Sequence, residues 1–128
     1  MGSPDMVGIT EESFRLNALL SDYLDSFLYE RGYCNRRYLM YARTAKLAEE
    51  VGEVMQAVIG WTGDNPRKGI SHTDADIVNE LCDVILTAMC ALHSAVGDER
   101  AEAELINTHI AIVYGRLLGK EQRNGSQG

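Results

Sequence analysis

Two acidic pairs with the same internal spacing lie thirty residues apart in this chain. Glu50 and Glu53 are three positions apart, and so are Glu80 and Asp83. Both pairs stand in segments whose apolar residues recur with helical spacing, so each pair shares one flank of a predicted helix. If these two helices pack side by side and antiparallel, their carboxylates meet along the edge of one core.

Carboxylates at such close quarters need a positive partner, because like charges within about 4–6 Å raise one another's pKa. The positions four residues after the acids hold Val54, Ala57, Val84 and Thr87, where a helix would place a neutralising Lys or Arg. A hard divalent cation that takes oxygen ligands is therefore the predicted partner, Mg²⁺ or else Mn²⁺. The alternative is a solvated acidic face without an ion.

Basic residues precede the first acidic pair. Lys46 lies one helical turn before Glu50 and Arg43 two turns before it, on the same flank. Together with a carboxylate-bound cation, they would suit the phosphate oxygens of a polyphosphate. The alternative for Lys46 is an ordinary surface ion pair with Glu50, worth under about 1 kcal/mol.

A loop is predicted over residues 60–72, which contain three glycines and an Asn-Pro pair without helical periodicity. A loop of this length in a small helical domain is often functional. Arg67 and Lys68 stand within it as further candidates for phosphate contacts. Trp61 is a candidate to stack on a nucleobase, or else it covers the edge of the core.

The periodicity of the whole chain predicts an all-α fold. Two of its helices carry long apolar stripes that we expect to form the core. The predicted helices span residues 10–31, 35–59, 73–95 and 98–118. The stripe of the first is Leu16, Leu19, Leu20, Tyr23, Leu24, Phe27 and Leu28, and that of the fourth is Leu105, Ile106, Ile110, Val113 and Leu117.

The length of 128 residues corresponds to one domain. We expect a leader or cloning-derived segment over residues 1–9, a helical domain over 10–118 and a flexible polar tail over 119–128. The net charge of −7 argues against nucleic acid as a partner. No apolar run is long enough for a membrane span, no secretion signal is evident, and the three cysteines form no C-x-x-C pair. We therefore expect a cytoplasmic protein with no membrane partner.

The motifs resemble those of the MazG-like all-α nucleoside triphosphate pyrophosphohydrolases. The segment 47–53 reads LAEEVGE and the segment 80–84 reads ELCDV, which together resemble the family signature of E-x-x-E followed by E-x-x-D. The segment 63–69, GDNPRKG, is similar to a fixed loop in one MazG-like subgroup. The resemblance covers about residues 35–95.

The resemblance implies a bundle of four to five helices that is completed by homo-oligomerisation, as a homodimer or a dimer-of-dimers tetramer. It implies that Glu50, Glu53, Glu80 and Asp83 are Mg²⁺ ligands. The implied reaction is hydrolysis of a nucleoside triphosphate, a deoxynucleotide or a modified one, between its α and β phosphates, in nucleotide-pool house-cleaning. Base preference does not transfer, because the first helix lacks the Trp by which some relatives hold the base.

Glu49 is the candidate catalytic residue. It lies about 100° around the helix from Glu50, where it would orient the attacking water or a metal ligand; the alternative is a solvent-exposed side chain.

Two other classes of function remain open. One is a non-catalytic nucleotide-binding or regulatory oligomer on the same scaffold. The other is a di-iron carboxylate bundle, which is disfavoured because no His follows Glu50 or Glu80 at the Glu-x-x-His spacing.

Overall fold

The computed structural model describes residues 11–32 and 35–126, and within these ranges it contains four α-helices and no strand. The helices are α1 (Glu11–Glu30), α2 (Arg36–Thr62), α3 (Asp74–Val96) and α4 (Glu99–Ser126). The predicted all-α fold is confirmed. The predicted leader over residues 1–9, and residue 10 of the first predicted helix, lie outside the described residues.

Side-chain caps and glycines fix the ends of α2 and the start of α3. The Asn35 side chain accepts a hydrogen bond from the Tyr38 backbone N–H at 3.2 Å, and Gly63 ends α2 in the left-handed conformation with φ of 75°. Thr73 and Asp76 form a reciprocal capping box at the start of α3. Each cap satisfies a backbone group that the helix itself leaves without a partner.

Helix α4 begins as the sequence predicts, because Asp98 accepts a hydrogen bond from the Ala101 backbone N–H at 2.9 Å. It ends at Ser126 rather than near Leu118, so residues 119–126 of the predicted tail are helical. The prediction of the helix end was wrong, since this segment contains the good helix formers Lys, Glu, Gln and Arg, which extend an existing helix.

Helices α2 and α3 form an antiparallel hairpin with the most extensive packing in the described chain. Helix α1 packs against α3 and α4, and α4 also contacts α3. Within the described ranges, no helix is both long and apolar enough to cross a membrane.

The face of α1 that packs inside this chain differs from the predicted stripe. Its buried residues are Phe14, Asn17 and Ser21, and the Asn17 amide donates a hydrogen bond to the Met89 carbonyl at 3.0 Å. Much of the predicted stripe is exposed, including Leu16, Leu19, Tyr23 and Phe27. The predicted stripe of α1 is therefore only partly buried in this chain, because α3 and α4 pack against the face that carries Phe14, Asn17 and Ser21.

Helix α4 shows the same pattern. Glu102 and Ala103 are buried near its start, whereas most of its predicted stripe is exposed in the single chain. The exposed members are Leu105, Ile110, Val113 and Leu117.

Candidate metal centre

The α2–α3 hairpin brings the two acidic pairs of the sequence together. Because the helices run antiparallel, Glu50 of α2 lies beside Glu80 and Asp83 of α3. One carboxylate oxygen from each of these three residues lies within 4.8 Å of the other two. We call Glu50, Glu80 and Asp83, with Glu53 beside them, the acidic cluster.

The acidic cluster lies at the edge of the core and opens toward solvent on one side. Glu50 is only 7% exposed, Glu80 is half-buried and Asp83 is exposed. The Oε2 atoms of Glu50 and Glu80 are buried and accept no hydrogen bond within the described residues. A buried carboxylate oxygen without a partner is unfavourable, and a divalent cation would supply the missing interaction for both. The donor set of carboxylate oxygens therefore fits Mg²⁺ or Mn²⁺.

Glu53 contacts the other members of the acidic cluster. The negative charge of Glu50 raises the pKa of the Glu53 carboxyl above its usual value, and partial desolvation and a hydrogen bond with Glu80 act in the same direction. Glu53 is therefore repelled by the neighbouring carboxylates of the cluster. A bound cation would remove that repulsion.

Lys46 supplies the nearest positive charge. Its Nζ lies 3.1 Å from Glu50 Oε1 and 3.2 Å from Glu49 Oε1. The hydrogen bond to Glu50, followed by the one to Glu49, raises the pKa of Lys46. Since Lys46 binds only Oε1 of Glu50, the other oxygen remains available to the cluster. Glu49 is exposed and lies on the outer side of Lys46, so the structure does not bring it among the clustered carboxylates.

The structure pairs Arg43 with residues of α1. Its buried guanidinium forms an ion pair with Asp25 and donates a hydrogen bond to the Ser21 carbonyl at 3.3 Å. These contacts join α1 to α2. The sequence pattern could not reveal this partner, because Asp25 lies on another helix, eighteen residues away.

The remaining predicted residues lie at the far end of α2 and in the loop after it. Trp61 is half-exposed in the last turn of α2. Arg67 is exposed and forms no ion pair with any residue that the structure describes. Lys68 lines a cavity beside Gly60.

Sequence reasoning missed the polar residues that accompany Lys68 in this cavity. Gln56 lies one turn after Glu53, and Asn65 belongs to the loop. The sequence placed Gly60 in the loop over residues 60–72, but α2 runs to Thr62, so Gly60 is a helical glycine, which often marks a close approach of another segment. In the structure the backbone N–H of Ser71 donates to the Gly60 carbonyl at 2.8 Å.

Comparison of the chain with protein-family models, with curated proteins and with solved structures found no match. The likeness to the MazG-like enzymes thus stays a prediction from the motifs, and the geometry of the acidic cluster is the independent observation beside it.

Proposed function

We propose that this chain is a Mg²⁺-dependent nucleoside triphosphate pyrophosphohydrolase that cleaves between the α and β phosphates. The observation that carries the proposal is the convergence of Glu50, Glu80 and Asp83, with two buried oxygens that lack partners. A purely solvated acidic face would have no reason to bury these oxygens. The products would be a nucleoside monophosphate and pyrophosphate, which suits the removal of unwanted deoxynucleotides or modified nucleotides.

Glu50, Glu80 and Asp83 would hold the cation, and Glu53 would complete the ligand set from the adjacent turn of α2. When bound there, the cation supplies charge neutralisation at the phosphates and a lower pKa for a coordinated water. Mn²⁺ has similar preferences for carboxylate oxygens and would substitute for Mg²⁺.

Lys46 is the residue best placed to bind a phosphate oxygen beside the cluster. Its ammonium already contacts Glu50, and a Lys donates up to three hydrogen bonds, so a phosphate can join its present partners. Glu49 is held by the same ammonium, and we assign to it the orientation of the attacking water. Arg67 and Lys68 remain proposed contacts from the loop, whereas the buried Arg43 acts on the site through the position of α2.

A non-catalytic nucleotide-binding or regulatory oligomer is the second candidate. The observation that favours it is the position of Glu49, which is exposed, bound to Lys46 and outside the clustered carboxylates. A protein without a positioned base would bind a nucleotide and its cation without turnover.

Product analysis separates the two candidates. Wild-type protein, Glu53→Gln and the control Glu121→Gln are incubated with Mg²⁺ and a panel of canonical and modified nucleoside triphosphates. We expect monophosphate and pyrophosphate from the wild type and from Glu121→Gln, and a loss of about a hundredfold or more from Glu53→Gln. If neither the wild type nor Glu53→Gln forms products from any nucleotide, the enzymatic proposal is overturned. If the wild type binds a nucleotide but forms no products, the non-catalytic candidate is supported.

We also infer that a second copy completes the bundle, as a homodimer or a dimer-of-dimers tetramer. The exposed apolar stripes of α1 and α4 support this inference, because burial of such surface is the main driving force of association.

A further inference from the structure

A cavity of about 320 Å³ lies beside the acidic cluster, between the end of α2 and the loop that leads to α3. It is lined mainly by polar groups. Among the lining residues are Gln56, Gly60, Asn65, Lys68, Ser71 and His72.

The wall of this cavity is held in place by backbone contacts. The Gly60 carbonyl accepts hydrogen bonds from the backbone N–H groups of Ser71 and His72, at 2.8 and 3.3 Å. A Cβ atom on residue 60 would lie 1.9 Å from Nδ1 of His72, so only glycine permits this approach. The Asn65 carbonyl accepts from the backbone N–H groups of Lys68 and Gly69, which folds the loop into a turn. These hydrogen bonds and the close packing at Gly60 fix the shape of the cavity.

Helical register places the cavity next to the acidic cluster. Glu53, Gln56 and Gly60 lie on neighbouring positions of one flank of α2, since they are separated by three and four residues. The rise of 1.5 Å per residue puts Gln56 about 4.5 Å and Gly60 about 10.5 Å beyond Glu53 along the helix axis. One ligand can therefore reach both the cluster and the cavity.

The two sides of the acidic cluster differ in charge. On the side toward the start of α2, Lys46 contacts Glu50 directly and offers a cation to a polyphosphate. On the other side, the cavity offers mostly neutral hydrogen-bonding groups with the single cation Lys68, and α3 begins nearby with Asp74 and Asp76. Those carboxylates repel a polyphosphate more than they repel a neutral heterocycle.

The Gln56 amide is available for recognition. It makes no hydrogen bond within the described part of the chain, and an amide offers both donors and an acceptor. Lys68 adds a donor that suits a carbonyl oxygen. A small set of placed polar groups around a cavity is the usual means of orienting a flat ligand.

We propose that this cavity binds the nucleoside end of the substrate, with Gln56 and Lys68 as the residues that determine specificity. The inference rests on the proposed function, since it needs the triphosphate to be held at the acidic cluster. Lys68, a phosphate candidate by sequence, is then reassigned to the base or sugar. The cavity is too small for the whole nucleotide, so the phosphates remain outside it.

The competing location is the groove of about 510 Å³ between α1 and α2, which is lined by Leu24, Phe27 and Leu28 among others. Its α1 wall is apolar and could stack on a base. The polar side chains that line this groove, Arg43, Lys46 and Glu49, are all charged, whereas those of the cavity are mostly neutral.

The test is equilibrium binding in the presence of Mg²⁺. The ligands are α,β-methylene nucleoside triphosphates with different bases, which cannot be cleaved at the proposed bond, and inorganic tripolyphosphate, which has no nucleoside. The variants are Gln56→Ala and Lys68→Met, with Gln122→Ala on the exposed face of α4 as the matched control and Phe27→Ala for the competing groove. Binding is followed by calorimetry, and the fluorescence of Trp61, the only tryptophan, provides a second readout.

We expect Gln56→Ala and Lys68→Met each to weaken nucleotide binding roughly three- to tenfold and to reduce discrimination among bases, while tripolyphosphate binding stays unchanged. Equal weakening of both ligand types would assign the cavity to phosphate and overturn the inference. An unchanged base preference in both variants, or its loss in Phe27→Ala alone, would also overturn it. If the wild type binds tripolyphosphate but no nucleotide, the inference and the proposed function both fail, whereas the other outcomes leave the proposed function intact.

Discussion

The two oxygens of Glu50 have different surroundings, and this asymmetry defines the candidate site at the residue scale. Oε1 accepts a hydrogen bond from Lys46 at 3.1 Å, and Oε2 is buried without a partner. The first contact offsets part of the charge of Glu50 and fixes the orientation of its carboxylate. One carboxylate oxygen of Glu50 also lies within 4.8 Å of an oxygen of Glu80 and of Asp83.

Replacement of Glu53 by Gln tests the repulsion within the acidic cluster. In a chelator at neutral pH, we expect Glu53→Gln to unfold at a higher temperature than the wild type, because it removes the charge that Glu50 and Glu80 oppose. Added Mg²⁺ should raise the unfolding temperature of the wild type and much less that of the variant.

Glu121→Gln is the control for the loss of one negative charge on an exposed helix. It should behave as the wild type does in both conditions. A lower unfolding temperature of Glu53→Gln in chelator, or an equal response of all three proteins to Mg²⁺, would show that the carboxylates do not share one site.

At the scale of elements, the sequence was sufficient for the number and order of the four helices and for where they begin, but not for the ends of α2 and α4 or for the faces that pack. Asn35, Thr73 and Asp98 cap α2, α3 and α4 in the structure, and all three are residue types that favour this position. Capping depends on neighbours three or four residues away, so a local pattern contains the necessary information.

Which face of a helix is buried depends on residues that are distant in the sequence, and the sequence pattern did not predict these faces. The periodicity of α1 identifies an apolar side, but it does not indicate whether this chain or another one covers it. The structure instead buries Asn17, whose partner Met89 lies 72 residues away. For the same reason, the sequence pattern could not predict that Arg43 forms an ion pair with Asp25 of α1. For the acidic cluster, in contrast, matching spacing on two antiparallel helices was enough to predict that Glu50, Glu80 and Asp83 lie together, although Glu53, the fourth predicted ligand, lies outside that group of three.

Two glycines of α2 provide a matched pair for testing how the loop is anchored. Gly60→Ala should destabilise the fold by about 1–3 kcal/mol, because its Cβ would overlap the His72 ring. Gly52→Ala should stabilise the fold by about 0.5–1 kcal/mol, because nothing lies within 4 Å of the added Cβ and alanine favours the helix. Denaturant unfolding measures both, and similar effects of the two substitutions would contradict the close packing of the loop on Gly60.

The capping box of α3 predicts a pH dependence. The hydrogen bond from the Thr73 backbone N–H, followed by that from its hydroxyl, lowers the pKa of Asp76 below its usual value. The ionised carboxylate therefore stabilises the folded state above the unfolded aspartate pKa of about 3.9, and this contribution is lost as the pH falls through the lowered value. Asp76→Asn should be less stable than the wild type at pH 7, with a difference that shrinks below about pH 3.9. If the difference in stability between the wild type and Asp76→Asn is constant from pH 7 to pH 2, the ionised Asp76 carboxylate is not its cause.

On the scale of the whole molecule, the single chain leaves a large apolar surface exposed. Tyr23 on α1 is 63% exposed and Ile110 on α4 is 60% exposed, and similar side chains continue along both helices. The proposed second copy would cover this surface, since burial of apolar side chains is the main driving force of association.

Sedimentation at micromolar concentration should therefore show dimers or tetramers. Val113→Glu, at an exposed apolar position of α4, should shift the protein toward monomers while the helical circular dichroism is retained. Glu104→Lys, at an exposed polar position of the same helix, is the control and should keep the assembly. A wild type that sediments only as a monomer would contradict the inferred oligomer.

The central claim is that the acidic cluster holds a divalent cation, and the most direct measurement is anomalous diffraction from crystals grown with Mn²⁺. We predict one or more anomalous peaks among the carboxylates of Glu50, Glu80 and Asp83, and their loss in crystals of Glu50→Gln grown under the same conditions. Mn²⁺ peaks elsewhere on the molecule, with none among these carboxylates, would contradict the account.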